Sequence, residues 1–390
     1  MSAGRPRVLF AMITVGNGHR TSAEALSAWV EREAPGRVDS AVLDFTAAVG
    51  DTGLDRRHKA SWRWMLRAPA AAYLGQRALD EVVPARISRA VQGAMLAAHA
   101  RHAAAYLRTH RFDLVVATHF FTVQALALAR RRHGLNVPVV GVNPDAMDAH
   151  ALWAEPHVDA MVVFSRRAAA DLARHGVPED KIARFDFVAR PEFDGPCPDA
   201  AAPRRALSLD PGRFTVLWSA GGEGIGGPLH ATVARLRAQG VPVTVLAACG
   251  RNEALRARLA RDASEEGPTR VVPLGFRSDM RRLTCAADLL IGKAGPASTF
   301  EALLSGRPVV HTGYAAANEK AIADYVVRAG VGTLARRPRA LAELIAGFAA
   351  HPDALDGWRH AIAALDLRNG GPDVASWLLR RFLTPAEASP

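Results

Sequence analysis

Short runs of β-branched and apolar residues alternate along this chain with longer stretches rich in Ala, Leu and Arg. Strands buried on both faces read as continuous apolar runs, so the alternation predicts parallel sheets covered by helices on both sides. In the first half, strands are expected at VLFAMIT (8–14), SAVLDF (40–45), FDLVVATH (112–119), VPVVGVN (137–143), DAMVVFS (159–165) and IARFDF (182–187). In the second half they are expected at FTVLWSAGG (214–222), VPVTVLAACG (241–250), TRVVPLGF (269–276), DLLIGKAG (288–295), RPVVHTG (307–313) and GVGTL (330–334). The expected fold class is α/β, with two Rossmann-like, doubly wound, parallel-sheet domains.

The stretch PEFDGPCPDAAAPRRA (191–206) carries four prolines and little periodicity, and reads as the linker between them. The expected division is residues 1–190, the linker 191–206, residues 207–370, and a helical end piece with its tail at 371–390. Within the last, PDVASWLLRRFL (372–383) is amphipathic and is expected to pack back on the first domain.

Composition adds bounds. A chain of 390 residues, 49% hydrophobic and 22% charged, is long enough for two cores and far from disordered composition. Its three cysteines, Cys197, Cys249 and Cys285, are too few and too distant in sequence for a disulfide framework or a Cys-based zinc site. A reducing, cytosolic compartment is the resulting expectation. VLFAMIT is too short for a signal-peptide core, and no window reaches the ~18 apolar residues of a membrane span. Membrane contact is therefore expected to be peripheral.

In doubly wound sheets, ligands bind beyond the carboxyl ends of the strands. Three such ends here are rich in glycine: Val15-Gly16-Asn17-Gly18-His19, the run from Gly221 to Pro228, and Gly292-Lys293-Ala294-Gly295-Pro296. Glycine lets backbone N–H groups approach a phosphate, and the helix that follows adds a partial positive charge. A diphosphate ligand is the inference; the plainer reading is tight strand-to-helix turns. None of the loops fits GxxxxGK[ST] or a dinucleotide fingerprint, which weighs against ATPase and dehydrogenase chemistry. The helix after KAGP has two frames. Ser298-Thr299-Phe300-Glu301 matches a capping box, in which Glu301 satisfies the backbone of Ser298. With Pro296 at the first helical position, that pair cannot form and Glu301 is left to a ligand's hydroxyls.

Taken together, GGEGIGGP (221–228), CGRN (249–252), LGF (274–276), KAGPASTFEALLSGRPVV (293–310) and ANEKAIADYVVRAGVG (317–332) resemble the donor domain of monogalactosyldiacylglycerol synthases and processive diacylglycerol glucosyltransferases. In the first half GNGHRTSAEAL (16–26), DLVVATHFFTVQ (113–124) and NPDAMDAHALW (143–153) fall in that family's order. The resemblance implies a GT-B fold and an inverting, metal-independent transfer of a hexose from a UDP-sugar, in a cleft between the domains. No Asp-x-Asp occurs, no metal site is expected, and the UDP-sugar is a co-substrate rather than a cofactor. By the family's pattern, Glu301 holds the ribose and the Phe276 backbone the uracil. Gly222, Glu223 and Gly224, with Gly295, Ser298 and Thr299, surround the phosphates, and Arg251 and Pro296 also belong to the donor site. Asn318 and Glu319 meet the hexose; the family more often has Gln-Glu there.

Inversion needs a base for the acceptor hydroxyl. His19 is the first candidate, with a pKa expected to suit proton uptake near neutrality, and Gly18 precedes it on the acceptor side. Asp145, His150 and Trp153 form a second constellation that matches the family's Asp-x4-His-x-x-Trp spacing; Asp145 is either the base or the group that orients a histidine, and Trp153 is placed on the acceptor or membrane side. His119, beside Phe120 and Phe121, reads as structural.

The formal charge of +11 is concentrated: eleven Lys or Arg lie between Arg56 and Arg111 against two acids. There, Trp62, Arg63, Trp64 and Arg67 mix aromatic and cationic side chains, which suits the headgroup layer of an anionic bilayer. Nucleic acid is not the expected partner. A single helix is expected from Val83 to Leu107, its ordinary reading being an apolar arc of Ile87, Val91, Ala94, Met95 and Ala98 packed on the sheet with the arginines solvated. The expected activity is transfer to a diacylglycerol-like lipid at the cytosolic membrane face. Alternatives are a polyprenyl-linked or natural-product acceptor, a UDP-N-acetylglucosamine 2-epimerase of the same architecture, or a nucleotide-sugar binder.

Overall fold

The computed structural model describes residues 5–14, 18–67, 74–75, 85–195, 197–224, 227–261, 267–314 and 317–383. They form two compact units: one of Met1–Pro191, Ala315–Asn318 and Asn369–Pro390, the other of Glu192–Tyr314 and Glu319–Arg368.

All twelve expected strands are present, ten of them within the expected bounds, while the first two each begin one residue earlier. The first unit holds β1 (Arg7–Met12), β2 (Asp39–Asp44), β3 (Leu114–Ala117), β4 (Val139–Val142), β5 (Ala160–Val163) and β6 (Ile182–Arg184), parallel throughout in the order β2-β1-β3-β4-β5-β6. Alternation along β1 sends Val8, Phe10 and Met12 to one face and Leu9 and Ala11 to the other. The first face packs on the Gly18–Glu33 helix and on Val374, Ala375 and Leu378 of the C-terminal helix Gly371–Leu378. Trp29 closes that contact, its indole N–H donating to the carbonyl of Ala189 at 2.8 Å. The second face packs on the Ala97–His110 and Phe120–His133 helices. The strand order reverses between β1 and β3, which makes their carboxyl ends the switch point of this sheet.

The second unit holds β7 (Thr215–Ser219), β8 (Val243–Ala248), β9 (Thr269–Leu274), β10 (Leu289–Lys293), β11 (Val309–Gly313) and β12 (Gly332–Leu334). Its parallel order, β12-β11-β10-β7-β8-β9, places the switch point between β7 and β10, where the GGEG and KAGP loops begin. The stretch read as a linker contains a helix, Ala201–Ala206. Its Arg204 is buried, donates to the carbonyls of Ala286 and Pro211 at 2.8 and 2.9 Å, and pairs with Asp288.

Two expectations fail. The cysteines are not all unpaired: Cys197 and Cys285 form a disulfide, their Cα atoms 5.5 Å apart across 88 residues. Spacing along the chain gave no measure of that approach, because the Ala201–Ala206 helix folds back onto the Met280–Ala286 helix. Nor is the segment from Val83 to Leu107 one helix. It breaks at Leu96 (φ −95°, ψ 1°) into Ala85–Met95 and Ala97–His110. The buried side is Gln92, Leu96 and His99, whereas Ile87, Val91 and Met95 are about half exposed, at 48%, 55% and 56%. The apolar arc therefore faces outward, and the Gln92, Leu96 and His99 side is the one that is buried.

A cross-link spanning a loop of this length restricts the unfolded chain and contributes roughly 4 kcal/mol. Peptide mapping without reduction is expected to recover Cys197 and Cys285 in one cross-linked peptide, and Cys285→Ser to lower the stability of the second unit by about 2–5 kcal/mol in denaturant titration. Recovery of both cysteines as free thiols contradicts the pairing.

Candidate functional site

In the first unit the carboxyl ends of β1 and β3 converge on His19. Thr118, just past β3, makes three bonds: its N–H extends the sheet to the Ala11 carbonyl at 3.0 Å, its hydroxyl donates to the His19 carbonyl at 2.9 Å, and its own carbonyl lies 2.5 Å from His19 Nδ1. A carbonyl only accepts, so Nδ1 carries the proton and Nε2 keeps its lone pair. Burial lowers the His19 pKa to about 4, against a smaller opposing effect of the Thr118 carbonyl. The near-neutral value expected from sequence is therefore wrong, because the ring is desolvated. At neutral pH His19 is an uncharged imidazole with one fixed tautomer.

Aromatic neighbours surround it. His119 lies 4.5 Å away between ring centroids and Trp153 6.4 Å away; Phe120 packs edge-on to His150 at 5.0 Å. Burial also holds His150 down to about 3 and His58 to about 4, the latter stacked on Phe121 at 4.2 Å.

Asp145 is buried and its carboxylate is oriented: Trp153 Nε1 donates to it at 3.1 Å and Asn318 Nδ2 at 2.5 Å, while its own N–H donates to the Asn143 side chain at 2.9 Å. Asn318 belongs to the short Ala315–Asn318 piece of this unit. Trp153 is fully buried, which removes it from the acceptor or membrane surface expected for it; its indole anchors Asp145 instead. Gly18 opens the Gly18–Glu33 helix, and Gly16 and Asn17 lie outside the described residues. So do the side chains of Trp62, Arg63, Trp64 and Arg67, although their backbone belongs to the Thr52–Arg67 helix.

In the second unit the GGEG and CGRN loops interlock. Arg251 N–H donates to the Gly222 carbonyl at 3.1 Å and Asn252 Nδ2 to the Gly224 carbonyl at 2.9 Å. Gly224 has φ +69°, and a Cβ there would stand 2.2 Å from the Cys249 carbonyl oxygen, so the loop needs glycine for conformation and for room. Arg251 lies 3.8 Å from Glu223, with its guanidinium 4.8 Å above the ring of Phe276, which is 55% exposed.

The frame of the KAGP helix is settled by its cap. Gly295 is the N-cap and Pro296 the first helical residue of Pro296–Leu304, which puts Ser298 inside the first turn and excludes the capping box. Thr299 is buried, its hydroxyl donating to the Gly295 carbonyl at 2.7 Å with His311 Nε2 3.4 Å away, and Ser298 donates to the same carbonyl at 3.2 Å. Glu301 is buried. Glu319 is buried and paired with Lys293. Lys293 was missed in the sequence, although an ammonium at the end of β10 beside a glycine loop is itself a phosphate signal. Thr118 gave none, since it acts through its backbone. A cavity of about 700 Å³ opens at the opposite end of β10, beside Asp288 and Cys197, and shares none of these residues.

Comparison with known proteins follows the same division. The monogalactosyldiacylglycerol (MGDG) synthase family matches residues 19–186, and the glycosyltransferase family 28 C-terminal domain matches residues 229–345. The chain is a glycosyltransferase similar to the MGDG synthases. A probable monogalactosyldiacylglycerol synthase 2, chloroplastic, of Oryza sativa subsp. indica is 28% identical over 94% of this chain and 78% of its own length. Monogalactosyldiacylglycerol synthase 3, chloroplastic, of Arabidopsis thaliana is 27% identical over 87% of this chain and 74% of its own. Among solved structures, MurG of Acinetobacter baumannii superposes with a TM-score of 0.60 at 14% identity, covering 96% of this chain and 99% of its own. That likeness shows the fold, GT-B.

The buried imidazoles predict the response to acid. His19, His58 and His150 have folded pKa values below the unfolded value of about 6.5, so the unfolded chain binds more protons between the two. Their neutral forms contribute full stability above about pH 6.5, and that stability is lost as pH falls through 4. Thermal melts are expected to drop steadily from pH 7 to pH 4, with a shallower slope in His58→Phe; an unchanged slope in that variant contradicts the assignment.

Proposed function

We propose that the chain transfers a hexose from a UDP-sugar to a hydroxyl of a lipid or amphiphilic acceptor, inverting the anomeric centre, with His19 as general base. The observation that carries this reading is the pinned tautomer of His19: Nδ1–H is held by Thr118, and the Nε2 lone pair is available at neutral pH. The attacking hydroxyl gives its proton to Nε2 as its oxygen bonds the anomeric carbon and the diphosphate leaves. The carbonyl of Thr118 then stabilises the charge that forms on the ring. A low pKa makes His19 a weak base in water, but the acceptor proton becomes acidic as the glycosidic bond forms, so transfer coincides with bond formation.

On the donor side, the N–H groups of the GGEG turn, the N-terminus of the Pro296–Leu304 helix and Lys293 are the groups suited to the departing diphosphate. Lys293 would exchange Glu319 for phosphate, leaving that carboxylate to hexose hydroxyls. Glu301 and Phe276 are assigned to ribose and uracil. Asp145, gripped by Trp153 and Asn318, is assigned to positioning rather than to proton uptake.

The acceptor class rests on the family and on the outward apolar stripe of the Ala85–Met95 helix. Ile87, Val91 and Met95 are spaced four residues apart, and Arg86 and Arg89 lie in the same helix, the composition of a segment that lies in an anionic membrane surface. No helix among the described residues is long and apolar enough to cross a membrane. A membrane surface is the proposed place of action; the Cys197–Cys285 disulfide removes the cysteine argument for a reducing compartment.

A panel of UDP-sugars incubated with total lipid extract is expected to yield one glycolipid series by mass spectrometry. His19→Ala is expected to reduce that turnover by about 10²–10⁴-fold with UDP affinity unchanged in calorimetry. Retained turnover rejects His19 as base, and epimer formed from UDP-N-acetylglucosamine alone rejects the transferase. Charging the stripe with Ile87→Glu and Met95→Glu is expected to weaken sedimentation with phosphatidylglycerol vesicles at least tenfold; equal sedimentation rejects this helix as the membrane contact.

A further inference from the structure

His119 has a structural duty that explains its place but not its chemistry. It is the N-cap of the Phe120–His133 helix, with φ −137° and ψ 131°, and its Nδ1 accepts the N–H of Phe121 at 3.2 Å. Ser, Thr, Asp or Asn ordinarily fills such a position. An imidazole does the same with one nitrogen and has a second to spare. Because a backbone amide only donates, Nδ1 of His119 holds a lone pair, and the single proton of the neutral ring sits on Nε2. Burial, reinforced by the neighbouring His19, His58 and His150, keeps the ring uncharged. Its orientation is fixed by stacking on Phe120 at 4.5 Å and on Phe121 at 5.6 Å.

His19 and His119 therefore have opposite tautomers. Their centroids are 4.5 Å apart with the planes inclined by 54°, one ring with an accepting Nε2 and the other with a donating Nε2–H. An alcohol is both donor and acceptor and is matched by such a pair. We propose that the two histidines grip the acceptor hydroxyl together, His119 donating to its oxygen while His19 takes its proton. The inference rests on the transferase reading and assigns His119 a contact with the reacting oxygen. In the transfer step the O–H proton moves to His19 Nε2, the second lone pair of the oxygen forms the bond to the anomeric carbon, and the bonding pair leaves with the diphosphate. His119 keeps its proton throughout and fixes which lone pair faces the donor.

The test separates capping from this contact. His119→Ser keeps a preferred N-cap and removes the donor; His119→Asn keeps the cap oxygen and restores an N–H. For the acceptor, kcat/KM is expected to fall tenfold or more in His119→Ser and to recover in part in His119→Asn, with KM for the UDP-sugar unchanged in both. Wild-type kcat/KM in His119→Ser overturns the proposal, and so does a loss that His119→Asn does not recover at all, which marks a packing role. Activity surviving in His19→Ala instead removes the parent reading, whatever the His119 variants do.

Discussion

The carbonyl of Thr118 is the constraint on which the first unit's chemistry depends. It stands at the end of β3 because the Thr118 N–H continues the β1–β3 ladder to Ala11, and it stays turned toward the Gly18–Glu33 helix because the Thr118 hydroxyl holds the carbonyl of His19. Accepting from Nδ1, it decides which nitrogen of His19 is basic. Trp153 and His119 pack against the ring, and burial keeps it neutral. One backbone oxygen thus fixes which ring nitrogen at the sheet's switch point keeps its lone pair.

The second unit is constrained differently, through its backbone loops. Its two switch-point strands end in loops that are rigid for separate reasons. GGEG is locked by CGRN through the Gly222 and Gly224 carbonyls, and KAGP is locked by Pro296 at the helix start and by Thr299 beneath the Gly295 carbonyl. Rigid N–H groups and a helix terminus require no rearrangement when charge develops on a leaving group. Lys293, at the end of β10, has Glu319 as its partner.

The architecture was legible because buried parallel strands are contiguous apolar runs separated by helical stretches. The glycine loops were legible too, since Gly224 cannot carry a Cβ. What escaped the sequence depends on direction or on distant approach. Nothing in FDLVVATH reports that a carbonyl selects a tautomer, and nothing in the spacing of Cys197 and Cys285 reports that they meet. The pKa of His19 was misjudged because desolvation is a property of the packed neighbours. Trp153 was placed on the acceptor or membrane side, whereas its N–H found a buried carboxylate, which spacing along the chain does not report. The stripe of Ile87, Val91 and Met95 was read as core because apolar periodicity does not say which side of a helix meets the sheet.

The central claim is that His19 is neutral at physiological pH with its proton on Nδ1. Long-range proton–nitrogen NMR on the histidine-labelled full chain reports this directly. The account predicts an Nδ1–H tautomer for His19 that persists as pH is lowered toward 4, alongside an Nε2–H tautomer for His119. An Nε2–H tautomer for His19, or titration near the free-histidine value of about 6.5, contradicts it.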